Sequence, residues 1–241
     1  MRAIFIRHGE STGNAGIPCH DLATIELTER GQEQAHHVAA SWTEAPALIV
    51  TSPYTRTRQT AAPTIARFPD TPVEVWPIEE FTYLQPARWN GTRSAERMPH
   101  LERYWNAADP DYCDGEGAES FATLLRRCEA ALARLAAMPP ASLVYVFGHG
   151  QFIQAARAIV ADLPAATEAD FDTEWLDSTL SVAVVDGVDP AVFARLVRNR
   201  RALAEAVAKE VEVQLATLPT AEVARPSIEN NRSEERRVGK E

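Results

Sequence analysis

Two histidines in this sequence stand at the ends of apolar runs, and each is followed by a glycine. Arg7 and His8 come after the run "RAIFI", and His149 comes after "SLVYVFG". Short continuous apolar runs are typical of strands in a sheet that is buried on both faces. Ligands of open α/β sheets bind at the carboxyl ends of the strands. We therefore expect these three polar side chains to meet at one edge of a sheet.

A phosphoryl group is the ligand that suits these side chains. Arginine presents a planar fork of donors to phosphate oxygens, and Arg7 is joined by Arg56, which follows a second predicted strand. A neutral imidazole is a nucleophile at phosphorus, so one histidine can attack while the other donates hydrogen bonds to the oxygens. Glu79 and Glu80 follow a third predicted strand and are candidates for the acid that protonates a leaving alkoxide.

The elements that must position these residues alternate between strands and helices. This alternation predicts an α/β protein, a three-layer α/β/α sandwich around a mostly parallel central sheet. The predicted strands are 2–6, 47–52, 73–78, 142–148 and 179–187, and the predicted helices are 27–42, 55–68, 116–138, 151–163 and 190–218. Thr28 is predicted to cap the first helix. Residues 79–115 are predicted to form an irregular insertion with a short helix.

The composition argues against several classes of protein. The 241 residues include 24 Lys and Arg against 34 Asp and Glu, a net charge of −10, which disfavours nucleic-acid or anionic-membrane partners. No apolar run is long enough to cross a bilayer or to serve as a signal peptide, so we expect a cytoplasmic protein. Cys19, Cys113 and Cys128 are odd in number and widely spaced, which predicts free thiols.

We predict three regions along the chain. Residues 1–187 form the catalytic domain, with the insertion at about 79–115, and residues 188–218 form a helical extension. That extension is a candidate cap for the sheet or a contact of a homodimer. Residues 219–241 are polar and highly charged, which predicts a disordered tail whose end resembles a read-through adapter sequence.

Several motifs, in order along the chain, resemble those of the histidine phosphatase superfamily, which is also called phosphoglycerate-mutase-like. The first, "RHGESTGN" at 7–14, resembles the opening motif of that family. The others are "LTERGQEQA" (27–35), "TSPYTRTRQTA" (51–61), "IEEFTY" (78–83), "GAESF" (117–121) and "VFGHGQFI" (146–153). The resemblance covers about residues 1–187 and implies the fold of that family.

The resemblance also implies roles for individual residues. It implies that His8 becomes phosphorylated and that Arg7, Arg56 and His149 bind the phosphoryl group. It implies no metal and no cofactor. The strand would then end on Arg7 and His8 because the edge of the sheet is the floor of a phosphate pocket.

Further positions complete the predicted site. The resemblance aligns Glu80 with the proton donor, acting as general acid in the first step and as base towards water in the second, and Glu79 is the lesser alternative. Asn14 is expected to add its side-chain amide to the phosphate pocket. Ser11 and Thr12 are candidates for further contacts with phosphate.

Two departures from the family pattern bear on the reaction. The segment "YLQPARWNGT" (83–92) replaces a run that in the family often ends in Trp-Glu-Gly, and the insertion is shorter and more mixed in charge than the basic insertion of the mutase branch. We therefore predict a phosphomonoester hydrolase, with a phosphoglycerate-type mutase as the alternative. A non-catalytic module that binds phosphorylated ligands is an alternative of another class. The expected partner is a small phosphorylated substrate or a phosphoprotein.

Overall fold

A parallel sheet is the core element of the described part of the chain. The computed structural model describes residues 1–161 and 172–177. In this part of the chain the sheet has five strands in the order β3-β2-β4-β1-β5, and each pairing between them is parallel. The strands are β1 (Arg2–Arg7), β2 (Leu48–Thr51), β3 (Val73–Val75), β4 (Leu143–Gly148) and β5 (Asp172–Asp177). The α/β class predicted from the sequence is confirmed.

Helices cover both faces of this sheet, as a three-layer sandwich requires. They are α1 (Glu29–Ser41), α2 (Thr55–Arg67), α3 (Pro86–Trp89), α4 (Ser94–Ala107), α5 (Phe121–Ala136) and α6 (Gly150–Ala161). Successive residues of a strand point to opposite faces. Ile6 of β1 therefore packs in one core with Trp42 and Ala61, beside α1 and α2, whereas Phe5 packs in the other core with Leu125 of α5 and Phe152 of α6.

The starts of two long helices are fixed by side-chain caps. Thr28 Oγ1 accepts a hydrogen bond from the Gly31 backbone N–H at 3.1 Å, so Thr28 is the cap that the sequence predicts and α1 begins at Glu29 rather than at residue 27. Ser120 Oγ accepts from the Thr123 N–H at 3.3 Å, and α5 accordingly begins at Phe121 rather than at the predicted residue 116. The cap, and not the preceding Gly-containing segment, sets this boundary.

The insertion is more helical than predicted. Its helix α4 has 14 residues and contains Pro99, which interrupts the helical pattern in the sequence because proline lacks a backbone N–H. Packing compensates for the proline: Tyr104 and Trp105 of α4 are buried, and their rings contact Phe81 with centroids 6.2 Å apart in each case. The third strand is shorter than predicted and ends at Val75.

One strand was not predicted from the sequence. β5 has the sequence "DTEWLD", with only two apolar residues, and it pairs with β1 at the side away from β4. The predicted strand 179–187, the predicted helix 190–218 and the predicted tail lie outside the described residues. Within the part of the chain that is described, no helix has both the length and the apolarity needed to cross a bilayer.

Candidate active site

The carboxyl ends of β1 and β4 bring the two predicted histidines together. These strands are neighbours, with Arg7 paired in register with Gly148. The His8 backbone N–H donates to the Gly148 carbonyl at 3.1 Å, which ties the two strand ends to each other. As a result the rings of His8 and His149 lie with their centroids 5.3 Å apart and their planes at 63°.

The hydrogen bonds of His8 define which of its nitrogens carries the proton. Nδ1 lies 2.7 Å from the Gly9 carbonyl oxygen, which can only accept, so Nδ1 is the donor. Nε2 therefore has a lone pair, and it accepts from Arg56 Nε at 3.1 Å. Burial, followed by the charges of Arg56 and Arg7, holds the pKa of His8 well below its ordinary 6.5 against the opposing bond to Gly9. His8 is thus a neutral imidazole whose unprotonated nitrogen is Nε2.

His149 is equally buried but is held differently. Its Nε2 lies 2.7 Å from Ser52 Oγ at the end of β2. Its Nδ1 is buried and has no hydrogen-bond partner among the described residues. Burial is the main cause that lowers the pKa of His149 well below 6.5, and the charge of Arg56 and the proximity of His8 add to it. The unpartnered Nδ1 is the nitrogen left for a ligand.

Two buried arginines supply the positive charge of the site. Arg7 at the end of β1 and Arg56 in the first turn of α2 are only 8% and 5% exposed. Arg56 is fixed by a bond from Nη1 to the Leu22 carbonyl at 2.7 Å and lies over the Tyr54 ring, 5.0 Å from its centroid. Burial lowers the pKa of Arg56 while Glu80 raises it, and an arginine remains charged in either case. The cations match the charge of a phosphoryl group.

Of the two candidate acids, the structure places Glu80 beside the site. Glu80 Oε1 accepts backbone N–H bonds from Phe81 and from Gln151, both at 3.1 Å, and Gln151 lies two residues after His149. Glu79 instead forms an ion pair with Arg127, with Oε2 3.4 Å from Nη1. Glu79 therefore supports the segment, while Glu80 faces the ligand cavity.

The side chain of Asn14 bonds to the loop after β1 and not to the histidines or arginines of the predicted site. Its Oδ1 accepts from Ser11 backbone N–H at 3.1 Å and from Ser11 Oγ at 2.8 Å, which closes the loop after β1. These bonds do not join Asn14 to the histidines or arginines, and its side chain is exposed. Ser11 is buried, and the Thr12 backbone N–H donates to the Glu26 carbonyl.

A cavity of about 220 Å³ adjoins Arg56 and Glu80 of this cluster. Arg56, Glu80 and Gln151 line it from the side of the sheet, and Trp89 and Arg97 line it from the insertion. Such a volume accommodates a small alcohol next to a phosphoryl group. Within the described residues no cluster of three or more His, Cys, Asp or Glu forms a metal-ligand set.

Sequence reasoning assigned no role to several residues that build the site. Ser52 and Gln151 contact the predicted residues, and the Thr60 hydroxyl accepts from the Gly9 N–H at 3.1 Å. Position 9 requires glycine for a steric reason that does not involve the ligand: a Cβ there would lie 2.5 Å from the Gly31 carbonyl oxygen. Ser52 could have been found from its position at a strand end, next to Thr51.

Comparison with known proteins defines the class to which this fold and site belong. The chain is a member of the histidine phosphatase superfamily (branch 1), whose family model matches residues 3–192. This membership, together with a phosphatase among the similar solved structures, supports a phosphatase enzyme.

Two of these structures illustrate the likeness. A mycobacterial glucosyl-3-phosphoglycerate phosphatase is 26% identical, with a TM-score of 0.54 over 68% of this chain and 81% of that chain. An α-ribazole phosphatase from Shigella flexneri is 23% identical, with a TM-score of 0.55 over 70% of this chain and 84% of that chain, and shows the shared fold alone.

A short match of another kind occurs among curated proteins. A γ-glutamyl phosphate reductase from Acidiphilium cryptum is 54% identical over 55 residues, which is 23% of this chain and 13% of the reductase. Because the match spans so little of the reductase, its activity is not carried over to this chain.

Proposed function

We propose that this protein is a metal-independent phosphomonoester hydrolase that works through a phosphohistidine on His8. The observation that carries the proposal is the state of the His8 ring: Nδ1 donates to the Gly9 carbonyl, which leaves Nε2 unprotonated beside Arg56 in a buried site. A nucleophile held neutral next to fixed positive charge is suited to attack a phosphoryl group.

The first step transfers the phosphoryl group to His8. Arg7, Arg56 and His149 hold the oxygens, and Arg56 exchanges its bond to Nε2 for a bond to the substrate. The Nε2 lone pair forms a bond to phosphorus while the P–O bond to the alcohol breaks. The electron pair leaves on the alcohol oxygen, which takes a proton from the carboxyl group of Glu80.

The second step releases inorganic phosphate. The Glu80 carboxylate takes a proton from a water molecule as the water oxygen attacks phosphorus. The N–P bond breaks and its electron pair returns to Nε2, so His8 is again a neutral imidazole. Glu80 is again protonated, and the enzyme has returned to its starting state.

The substrate side of the proposal rests on the size and charge of the cavity. A volume of about 220 Å³ suits a small phosphorylated molecule or the phosphorylated side chain of a protein. On the insertion side the lining includes one arginine, Arg97, among the described residues. Few cations there would retain a released phosphorylated product for reorientation, which favours hydrolysis over the mutase reaction. We also infer a cytoplasmic location.

Trapping the covalent intermediate tests the proposal. Wild-type protein is mixed with a phosphomonoester, quenched in alkaline denaturant within milliseconds, and mapped by peptide mass spectrometry. We expect one phosphoryl group on His8, and neither label nor turnover in His8→Ala. His36→Ala, an exposed histidine on α1, is the matched control and should behave as wild type. Label on another residue, or turnover in His8→Ala, contradicts the covalent mechanism.

Chelation tests the metal-independent part separately. Arg7 and Arg56 are permanent charges that can neutralise phosphate oxygens without an ion. Activity should therefore survive prolonged treatment with EDTA followed by buffer exchange. Loss of activity that magnesium or zinc restores would contradict this part of the proposal, whereas the phosphohistidine experiment would still stand.

A further inference from the structure

Ser52 contacts the second histidine although the proposed reaction gives it no task. It follows β2 directly, is fully buried, and has its Oγ 2.7 Å from His149 Nε2. A buried hydroxyl at this distance either donates to Nε2 or accepts from it, and the two cases leave opposite protonation on Nδ1. The direction of this one hydrogen bond therefore decides what His149 offers to a ligand.

A neutral His149 ring carries one proton, on either Nδ1 or Nε2. Burial and the surrounding positive charge keep its ring neutral, so only one of its nitrogens can be a donor. Nε2 is engaged by Ser52, and Nδ1 is buried without a partner among the described residues. A phosphoryl oxygen is an acceptor and would be repelled by a bare Nδ1 lone pair. For His149 to bind phosphate, Nδ1 must carry the proton and Nε2 must accept.

The neighbours of Ser52 allow this arrangement. The Tyr54 backbone N–H donates to Ser52 Oγ at 3.1 Å, and the Thr57 hydroxyl lies 2.8 Å from the same oxygen. When Thr57 also donates to Ser52, both lone pairs of Ser52 Oγ are used and its own hydrogen points to His149. The competing arrangement has Thr57 donating to the Tyr54 carbonyl, 2.7 Å away, and Ser52 donating to Thr57.

We propose that Ser52 is a positioning residue, whose hydroxyl donates to Nε2 of His149 and keeps the proton on Nδ1 for the phosphoryl group. The inference rests on the proposed phosphatase reaction. In the competing arrangement Ser52 would accept from Nε2, and His149 could not donate to phosphate while neutral. Only the first arrangement lets His149 stabilise the charge that develops on the phosphoryl oxygens.

The tautomer can be measured without turnover. In protein labelled with ¹⁵N-histidine and saturated with inorganic phosphate, long-range ¹H–¹⁵N spectra should show His149 protonated at Nδ1. Thr57→Val should keep this tautomer, because Ser52 still donates to His149. An Nε2-protonated ring in the wild type that changes to Nδ1 in Thr57→Val would establish the competing arrangement and overturn the inference.

Kinetics provide the second readout. Ser52→Ala should lose the fixed tautomer and lower kcat by about 100-fold with little change in KM, as expected for a lost transition-state donor. The control is Thr64→Val, which removes a different buried hydroxyl, on α2, the partner of Trp42 Nε1 at 3.0 Å. It should lower stability while leaving kcat and the tautomer unchanged. Wild-type kcat and tautomer in Ser52→Ala would overturn the inference, whereas an unlabelled His8 would overturn the phosphatase reaction itself.

Discussion

The nitrogen of His8 that we propose as the nucleophile, Nε2, already accepts a hydrogen bond. Arg56 Nε donates to it at 3.1 Å, so the guanidinium that we propose to bind phosphate also orients the imidazole. When the substrate binds, Arg56 Nε must exchange its hydrogen bond to His8 Nε2 for one to a phosphoryl oxygen. The planar geometry of arginine makes this exchange possible without moving its backbone, because Nη1 stays on the Leu22 carbonyl.

Replacing Arg56 by lysine keeps the charge and removes the fork. We expect Arg56→Lys to lower kcat/KM by about 100-fold and to weaken inhibition by vanadate in parallel, since both depend on several directed N–H groups. Steady-state rates and vanadate inhibition constants measure this. Arg58→Lys makes the same change at an exposed position of the same helix and should have no effect. A large fall in rate without a change in vanadate affinity would contradict the role given to Arg56.

The contribution of Glu80 to the rate should increase with the basicity of the leaving group. Glu80→Gln should slow alkyl phosphates far more than p-nitrophenyl phosphate, because a nitrophenolate leaves with little protonation. Glu79→Gln is the control, since it removes a charge that is paired with Arg127 rather than facing the cavity. Equal slowing of both kinds of substrate in Glu80→Gln would place the acid elsewhere.

At this scale the sequence motifs anticipated the side chains but not their partners. His8, Arg56 and Glu80 were predicted from their order in family motifs; Arg56 and Glu80 line one cavity, and Arg56 contacts His8. Besides the bond between Arg56 and His8, the bonds that orient them run to backbone groups, such as the Gly9 carbonyl and the Gln151 N–H. Every residue type carries such groups, so no pattern of side chains indicates which of them will be used.

Among the elements, α1 is docked against the end of β1 by direct backbone contact. A Cβ on Gly31 would lie 2.0 Å from the Glu10 carbonyl oxygen, and a Cβ on Gly9 would lie 2.5 Å from the Gly31 oxygen. Because Gly9 and Gly31 have no side chains, α1 can approach the loop that follows His8. This contact fixes the segment that follows His8.

Substitution of Gly31 tests the contact. Alanine is normally better than glycine inside a helix, but Gly31→Ala should lower the free energy of unfolding by about 2 kcal/mol or more, because backbone must move. Urea unfolding measures the change. Gly13→Ala is the control, since the added Cβ would meet its nearest side-chain atom at 3.5 Å. A Gly31→Ala protein as stable as wild type would show that the two backbones separate at little cost.

The elements themselves were predictable where one physical signal dominated. β1, β2 and β4 are continuous apolar runs and were predicted to within two residues at either end. The extent of α4 was missed because Pro99 breaks the local pattern while tertiary packing of aromatic residues restores the helix. β5 was missed because "DTEWLD" has the composition of a loop, and only its pairing with β1 makes it a strand.

The whole chain has a net charge of −10, whereas the site contains two buried arginines and two neutral histidines. Both histidines have pKa values below the 6.5 of an unfolded chain. Below pH 6.5 the unfolded state therefore binds more protons than the folded state, and stability falls as the pH is lowered. Well above pH 6.5 both histidines are neutral in the folded and the unfolded state, so they cause no dependence of stability on pH there.

Unfolding curves measured between pH 7 and pH 5 test this linkage. The free energy of unfolding of the wild type should decrease over this range, and the slope should be smaller in His8→Asn and in His149→Asn. His36→Asn, on the exposed face of α1, should keep the wild-type slope. The slope is compared rather than the absolute stability, because either buried substitution also alters packing. An unchanged slope in both variants would contradict the lowered pKa values.

The pairing of Arg7 with Gly148 also has a consequence for biosynthesis. His8 is synthesised about 140 residues before the end of the strand that must lie beside it. At typical elongation rates the nascent chain therefore lacks the paired ends of β1 and β4 for on the order of ten to thirty seconds. If the proposed reaction is correct, a chain on a ribosome stalled before β4 should not become phosphorylated on His8.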